Sequence, residues 1–198
     1  MGLGGTRIGW CVTGAFGVMH RVLAEMERIV KEGADVTVIA SVAASTVDTR
    51  HTRAADLLTR MSQITGKRVL TTLADVEPVG PSKMFDVLLV APCTGNTAAK
   101  IANAITDGPV TMAVKAHLRN GRPVVLSLSS NDLLGMNAKN LGVLLGSRNF
   151  YFVPFGQDNP EEKPTSLDAD TTLIADALVG ALAGRQIQPM LIDRRTRR

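Results

Sequence analysis

The sequence predicts an α/β protein with a three-layer, doubly wound, Rossmann-like architecture and a mostly parallel sheet. Short apolar runs alternate with longer segments of helical periodicity along the chain, which is the order expected of a parallel sheet covered by helices. The run Val-Leu-Leu-Val at 87–90 contains no polar residue, as is typical of a strand buried on both faces. Gly33 and Gly66 follow two of the helical segments, at positions where glycine commonly ends a helix.

The local patterns assign the elements in order. Strands are predicted at 8–13, 36–40, 69–72, 87–90, 124–128 and 150–153. Helices are predicted at 16–31, 51–65, 98–105, 110–120 and 132–145, and a closing helix capped by Ser166 or Asp168 runs to residue 182. The polar loop at 156–166 has the length of a lid, a partner contact or a disordered segment. We take the stretch from 150 to 166 as the candidate partner contact.

Length and charge bound the class of protein. A chain of 198 residues with 45% hydrophobic content is long enough for one well-packed domain and short for two. We therefore expect a single domain over 1–198, in which 184–198 is an extended C-terminal tail. Four arginines of the tail account for much of the formal charge of +4, so the body of the chain is nearly neutral. With only 4% aromatic residues, nucleic-acid binding is not expected.

The cysteines, histidines and apolar runs indicate the compartment. Cys11 and Cys93 lie far apart in predicted strands, which suits reduced thiols in a cytosol. The three histidines have no ligand-pair spacing, and no apolar run reaches the ~18 residues of a spanning helix. The N-terminal residues lack a secretory pattern. We expect a soluble, cytoplasmic protein without a metal site or a membrane segment.

The stretch at 91–100, Ala-Pro-Cys-Thr-Gly-Asn-Thr-Ala-Ala-Lys, is the strongest candidate for a ligand site. It joins the buried strand at 87–90 to a helical pattern, so its hydroxyl and amide groups lie at the carboxyl end of a strand, where open α/β sheets bind ligands. Asn96 and Thr97 suit the N-cap and first turn of the helix, whose amide groups favour an anion or a polar ring. An ordinary strand-to-helix turn is the alternative.

Two further places have residues suited to a phosphate or carboxylate. In the turn at 13–15, Gly14 would let the backbone approach a phosphate, although a simple tight turn is equally compatible. The spacing of Gly14 and Gly17 does not match Gly-x-Gly-x-x-Gly, which argues against a dinucleotide site on this chain. Arg50 or Arg53 could pair with a phosphate or a substrate carboxylate; both could also belong to the solvated start of a helix.

Two strings of the sequence resemble elements of a known superfamily. Pro-Cys-Thr-Gly-Asn-Thr at 92–97 resembles the Pro-Ala-Ser-Ala-Asn-Thr element of the homo-oligomeric flavin-containing cysteine decarboxylase-like flavoproteins, and Leu-Ser-Ser-Asn at 128–131 is the counterpart of their Pro-Ala-Met-Asn element. Within that superfamily, the segments at 13–14, 48–50, 77–81, 118–126 and 151–158 resemble the family of dipicolinate synthase B subunits from spore-forming bacteria.

The resemblance implies a flavoprotein type of fold and FMN as the cofactor. Ser41, after the second strand, corresponds to a hydroxyl residue that helps to bind the FMN phosphate. The residues that the resemblance and the strand-end positions assign to the cofactor are Gly14, Ala15, Ser41, Thr94, Gly95, Asn96, Thr97, Ser129 and Asn131. Arg50 and Arg53 are the candidates for the substrate, and no catalytic base is identified.

The resemblance also implies partners and an activity. Family members are homotrimers or multiples of them, and the B subunit acts with a nicotinamide-binding A subunit, on which we expect NADP(H). Together they form dipicolinate from a dihydro- or hydroxytetrahydro-dipicolinate during sporulation. We therefore expect an oxidoreductase subunit that is inactive alone. The alternatives are a stand-alone FMN-dependent decarboxylase or flavin prenyltransferase, and a non-catalytic regulatory subunit. The decarboxylases have a catalytic His for which 77–81 offers no counterpart.

Overall fold

The structure is a computed structural model that describes residues 2–193. Within them, five parallel strands form the centre of the sheet in the order β2-β1-β3-β4-β5. Their bounds are β1 Arg7–Val12, β2 Asp35–Ala40, β3 Val87–Cys93, β4 Val124–Ser130 and β5 Phe150–Phe152. Two short strands, β6 Phe155–Gly156 and β7 Leu167–Ala169, pair with each other, and β7 pairs with the end of β4, both antiparallel. The predicted α/β class with a mostly parallel sheet is confirmed.

Eight α-helices flank this sheet in the described part of the chain. They are α1 Met19–Lys31, α2 Val42–Thr46, α3 Ala54–Thr65, α4 Leu73–Val76, α5 Gly95–Ala102, α6 Pro109–Leu118, α7 Ala138–Leu145 and α8 Ile174–Leu182. Helix α1 packs against α3, whereas α5 packs against α6 and α7. Over residues 2–193, no helix is both long and apolar enough to cross a membrane.

The central strand β3 explains why the functional groups lie at one edge. All seven of its residues are buried, because β1 and β4 flank it and helices cover both faces. Since β1 to β4 are parallel, their carboxyl ends meet at the same edge of the sheet. The turns after these strands therefore carry the polar residues that the core cannot accommodate.

Two predicted elements between β2 and β4 differ from the structure. The predicted strand at 69–72 is wrong: only Leu70 forms a bridge, to Ile39. The run ends because Thr72 caps α4 in a capping box, accepting from the Asp75 amide at 3.1 Å. The short helix α2 was not predicted, and Ser41 caps it by accepting from the Ala44 amide at 3.2 Å.

The C-terminal third of the structure differs more from the elements predicted from the sequence. The helix predicted at 132–145 begins only at Ala138, because the backbone turns at 132–137 and the Asp132 carbonyl accepts from both Gly135 and Asn137. The strand at 150–153 is not the last one, since β6 and β7 follow. The closing element is capped by Asp170, which accepts from the Thr172 amide at 3.2 Å, and not by Ser166 or Asp168.

The segment from residue 184, predicted as an extended tail, contacts the sheet in its described part. The Gln186 side chain accepts from the Phe152 amide at 2.7 Å and donates to the Phe152 carbonyl at 2.8 Å. Phe155 in turn exchanges backbone hydrogen bonds with Met190 and Ile192, each at 3.0 Å. The basic residues of the tail, 194–198, lie outside the described residues.

Candidate functional site

Two side chains of the first strand and its turn fix the end of β3. The Trp10 indole donates to the Ala91 carbonyl at 3.0 Å, and the Thr13 hydroxyl donates to the Pro92 carbonyl at 2.6 Å. The Thr94 amide then donates to the Thr13 hydroxyl oxygen at 3.1 Å. Because Trp10 and Thr13 are buried, these bonds hold the turns after β1 and β3 at a fixed separation.

Thr94 begins the helix that follows β3. Its hydroxyl oxygen accepts from the Thr97 amide at 3.2 Å, and its hydroxyl donates to Thr97 Oγ1 at 3.0 Å. The prediction of Asn96 as the N-cap is therefore wrong, because it lies in the first turn of α5, whereas Thr97 lies in that first turn as predicted. Threonine takes this position because its short side chain reaches back to the orphan amides of the helix. The exchange leaves the Asn96 side chain exposed and without a hydrogen bond from the described residues.

The first cleft has a volume of about 490 Å³ and opens at the carboxyl ends of β1, β2 and β3. It brings together five of the predicted cofactor residues, which come from three separate turns: Gly14, Ser41, Thr94, Asn96 and Thr97. The remaining wall is formed by Thr13, Val42, Ala43, Lys100 of α5 and the residues at 107–111. Strand-end positions in the sequence thus predicted which side chains converge here.

The polar groups of the first cleft are mostly uncharged. The Ser41 hydroxyl oxygen accepts the cap bond, while its own O–H has no acceptor within residues 2–193. The cationic Lys100 pairs with Asp107 at 2.7 Å, and this ammonium group lowers the pKa of Asp107. A phosphate in this cleft would therefore meet hydroxyl and amide donors and one cation that is already paired.

The second cleft lies on the other side of the 13–15 turn and has a volume of about 450 Å³. Three predicted cofactor residues, Ala15, Ser129 and Asn131, line this cleft and not the first one. Its remaining wall contains residues that the sequence analysis did not single out as ligand contacts, and four of them are charged: Arg21, Asp158, Lys163 and Asp168.

The charged residues of the second cleft come from three distant parts of the chain. Arg21 of α1 donates to the Asp168 carboxylate at 2.8 Å, and Asp168 is buried in β7 opposite Ser129 of β4. Asp158 and Lys163 belong to the 156–166 loop and lie 3.9 Å apart. For Asp158, its place within the resemblance segment at 151–158 was a usable sequence signal. Arg21 gave none, because an arginine on an amphipathic helix is normally solvated.

Gly95 lines neither cleft and instead forms part of the partition between them. A Cβ atom at Gly95 would lie 2.4 Å from Asp132 Oδ1 and 2.6 Å from Ser130 Oγ. Ser130 donates to Asp132 at 2.7 Å, and Asn137 donates to the other Asp132 oxygen at 2.5 Å. The resembling flavoproteins have Ala at this position, so glycine here makes room for a polar cluster after β4. The glycine is therefore a packing requirement of this chain.

The network continues from that cluster into two helices. Asn140 of α7 donates to Asn137 at 2.7 Å, and Asn103, at the end of α5, donates to Asn140 at 3.0 Å. Asn140 is buried, and a buried amide whose oxygen and nitrogen both have partners helps to fix the relative positions of the elements it joins. The network therefore ties the start and end of α5 to the turn after β4.

Arg50 and Arg53 line neither cleft. Arg50 contacts the neighbouring His51 ring at 3.3 Å, and Arg53 lies 3.9 Å from Asp56 on the exposed start of α3. Within one chain, the structure does not bring them to the other candidate residues. Their role towards a substrate stays a prediction.

The buried titratable groups elsewhere are structural. Burial raises the pKa of the Cys93 thiol to about 12 and raises that of Cys11 further, so neither thiol is a ready nucleophile. Burial lowers the pKa of His117 to about 4, and its ring contacts the Pro123 carbonyl at 3.1 Å. No group of three or more His, Cys, Asp or Glu side chains in residues 2–193 is placed to hold a metal ion.

Comparison with known proteins assigns the family. The family model described as Flavoprotein matches residues 2–172, and the dipicolinate synthase B subunit of Bacillus subtilis (strain 168) is 40% identical over 191 residues, which are 96% of each chain. The chain belongs to the dipicolinate synthase B-subunit group of the Flavoprotein family. The crystal structure of the dipicolinate synthase B subunit from Bacillus halodurans C covers 98% of the chain and 100% of that protein, with 42% identity and a TM-score of 0.90.

More distant solved structures show the fold alone. The match to the crystal structure of the FMN-dependent cysteine decarboxylase SpaF has a TM-score of 0.64 and 22% identity, and it covers 90% of this chain and 98% of the SpaF chain. The match to Burkholderia xenovorans DmrB, whose crystal structure is a complex with FMN, has a TM-score of 0.61 and 22% identity, and it covers 74% of this chain and 87% of the DmrB chain. The predicted flavoprotein type of fold is confirmed by these likenesses.

Proposed function

We propose that this chain acts as the B subunit of a dipicolinate synthase. The supporting observation is the likeness to such B subunits over nearly the whole chain, in sequence and in fold. In this role it works with a nicotinamide-binding A subunit that carries NADP(H). Together the two subunits convert a dihydro- or hydroxytetrahydro-dipicolinate to dipicolinate during sporulation, and this chain is inactive alone.

We also propose that FMN binds in the first cleft. The cleft volume of about 490 Å³ lies within the usual range of about 300–1,000 Å³ for small-molecule sites. A Cβ atom at Gly14 would meet the Ala43 methyl group at 3.4 Å, so these two small residues keep space beside Ser41. The free Ser41 O–H suits a phosphate oxygen, and the exposed Asn96 amide suits the polar edge of a ring.

The protein's part in this chemistry is positioning. Bound FMN would supply an acceptor for the hydride that the substrate ring loses. Thr13 and Thr94 hold the two turns that face the cofactor, through the hydrogen bonds between β1 and β3. Ser129 and Asn131 lie in the adjoining cleft, where they would orient the substrate rather than the cofactor.

A non-catalytic regulatory subunit is the second candidate, and one observation favours it. The first cleft has no unpaired cation among its lining residues, since Lys100 pairs with Asp107, so a doubly charged phosphate would meet neutral donors and a cation that already has a partner. The visible spectrum of the purified chain separates the candidates. A flavin band near one FMN per chain supports the catalytic role, whereas a colourless protein that FMN does not reconstitute supports the regulatory role. The stand-alone decarboxylase or prenyltransferase is less favoured, because 77–81 lacks the family His.

Mixing the subunits tests the function itself. The full chain, the A subunit, NADP and freshly generated dihydrodipicolinate are combined, and dipicolinate is measured by its ultraviolet absorbance. The expected result is a rate that neither subunit supports alone. An A subunit that is fully active and unaffected by this chain would contradict the proposal.

We further propose a single cytoplasmic domain over 1–198 that assembles as a homotrimer or a multiple of one. Exposed apolar side chains at the ends of α5 and α7 support assembly: Ile105, Leu134, Met136, Val143 and Leu145. Exposed apolar side chains that lie together on a surface are typical of protein interfaces. Light scattering at micromolar concentration should give at least three times the mass of one chain; a monomer would contradict the assembly.

A further inference from the structure

The second cleft contains a carboxylate whose hydrogen-bonding capacity is unused. Asp158 accepts no hydrogen bond from any residue in 2–193, and its Oδ1 atom is also shielded from water. Its nearest cation, Lys163, lies 3.9 Å from Oδ2, beyond hydrogen-bond distance. An ionised oxygen with neither water nor a donor costs free energy. A ligand that donates to this carboxylate would remove that cost.

The other walls of the cleft are suited to a ligand with negative charge. Lys163 is loosely paired and half exposed, so its ammonium group is available to a carboxylate. Ser129 and Asn131 add neutral donors at the end of β4, and Phe16 adds an apolar surface beside them. Arg21 is already engaged by the buried Asp168. The cleft thus combines the available ammonium group of Lys163, the neutral donors at the end of β4, and the Asp158 carboxylate, which accepts no hydrogen bond from the described residues.

We propose that the second cleft binds a ring dicarboxylate that still carries an N–H or O–H donor, and that Asp158 selects it over the aromatic product. This inference rests on the proposed function and deepens it by assigning the substrate subsite. Lys163 pairs with a carboxylate, while Asp158 accepts the ring donor. Because the torsion about the Cβ–Cγ bond of aspartate is broad and roughly two-fold, either carboxylate oxygen can face the cleft.

This selection has a consequence for turnover. A partly saturated ring with a hydroxyl group or a protonated nitrogen has a hydrogen to donate, whereas the pyridine nitrogen of the aromatic dicarboxylate has only a lone pair. Aromatisation therefore replaces a charge-assisted hydrogen bond with a contact between a lone pair and a carboxylate. The same residue that retains the substrate thus favours release of the product.

Two stable ring dicarboxylates differ in this feature, although they also differ in net charge and in ring planarity, so the comparison depends on the Asp158 variant described below. Piperidine-2,6-dicarboxylate has a protonated ring nitrogen with two N–H donors, and pyridine-2,6-dicarboxylate has none. Calorimetric titration of the full-length chain with each ligand should show a preference for the piperidine compound of about 10-fold or more, as expected of a hydrogen bond between charged groups. Asp158→Asn keeps the size of the side chain and should abolish that preference.

Lys163→Met and Glu161→Gln are the companion variants. Lys163→Met should weaken both ligands by a similar factor, because each carries the two carboxylates. Glu161 is exposed on the same loop and does not line the cleft, so Glu161→Gln should leave both affinities unchanged. Circular dichroism checks that each variant is folded.

The outcomes separate this inference from the proposed function. A preference that survives in Asp158→Asn would overturn the role of Asp158, even if the mixed subunits form dipicolinate. Failure of the wild-type chain to bind either dicarboxylate would overturn the subsite. The proposed function depends instead on the rate measured with the A subunit, which requires no dicarboxylate titration.

Discussion

The two clefts lie side by side at one edge of the sheet but are built in different ways. The first is formed by turns that directly follow β1, β2 and β3, and its polar groups are hydroxyls, an amide and one closed ion pair. The second needs α1, the end of β4, β7 and the long loop at 156–166, and it contains four charged residues. The strand ends of the fold supply the first cleft, whereas long-range contacts supply the second, and our proposals assign the cofactor to the first and the selection of the substrate to the second.

The largest expected effect tests the first cleft. Ser41→Asp should lower FMN affinity by on the order of 100-fold, because it places a carboxylate beside a phosphate and removes the donor. Aspartate is as good an N-cap as serine, so α2 remains capped. Thr46→Asp, exposed at the end of the same helix, is the control. Fluorescence quenching of FMN measures both, and equal affinity in Ser41→Asp and wild type would place the phosphate elsewhere.

The partition between the clefts is the next test. Gly95→Ala should destabilise the protein by about 1–3 kcal/mol, because the new Cβ atom would overlap the Asp132 and Ser130 side chains. Gly142, inside α7, has no atom within 4 Å of the corresponding Cβ position. Gly142→Ala should therefore stabilise by about 0.5–1 kcal/mol through helix propensity. Urea denaturation compares the two variants. A Gly95→Ala protein as stable as the wild type would show that the side chains of Ser130 and Asp132 move aside at little cost in free energy.

A pH titration tests the packing of α6, whose start forms one wall of the first cleft and whose last turn contains the buried His117. Burial lowers the pKa of His117 to about 4 in the folded protein, from an ordinary value of 6.5. As the pH falls, the unfolded chain therefore binds the extra proton at a higher pH than the folded protein does. The contribution of the buried neutral ring to the free energy of unfolding is fully present above about pH 6.5 and is lost as the pH falls towards 4. The loss between pH 7 and 5 is about 2 kcal/mol. Urea denaturation of His117→Gln should show a smaller decrease in the free energy of unfolding between pH 7 and 5 than the wild type does. An equal decrease in both proteins would contradict a lowered pKa for His117.

The smallest effect tests the anchoring of the second cleft. Arg21→Met should cost about 1–2 kcal/mol, because it removes a charged hydrogen bond from the buried Asp168. Arg28, on the same helix, pairs with Glu25 and Glu32 at the surface, so Arg28→Met should cost less than about 1 kcal/mol. Thermal denaturation ranks the two variants. The reverse ranking would show that the Arg21 pair does not anchor the cleft.

The same contrast explains what the sequence could predict. The residues of the first cleft were found because parallel strands end at one edge, so Gly14, Ser41 and Thr94 had to converge. Local competition was harder to foresee: Thr94 and not Asn96 caps α5, and Asp132 begins a turn where a helix was expected. Ser129 and Asn131 were predicted for the cofactor, yet they line the other cleft.

The charged wall of the second cleft was beyond sequence reasoning for a topological reason. Arg21 and Asp168 are 147 positions apart, and they meet because β7 returns antiparallel to β4 after a long loop. No periodicity in the 156–166 loop predicts that return, since strands of two or three residues leave no pattern. Two sequence signals pointed towards Asp158: its segment at 151–158 resembles the B subunits, and it lies in the stretch at 150–166 that we predicted as a partner contact.

The most direct test of the division between the clefts is a crystal structure of the full chain grown with FMN and piperidine-2,6-dicarboxylate. The predicted result is an FMN phosphate within hydrogen-bond distance of Ser41 in the first cleft. The dicarboxylate should lie in the second cleft, with its ring nitrogen on Asp158 and a carboxylate on Lys163. FMN bound away from Ser41, or both ligands in one cleft, would contradict the account.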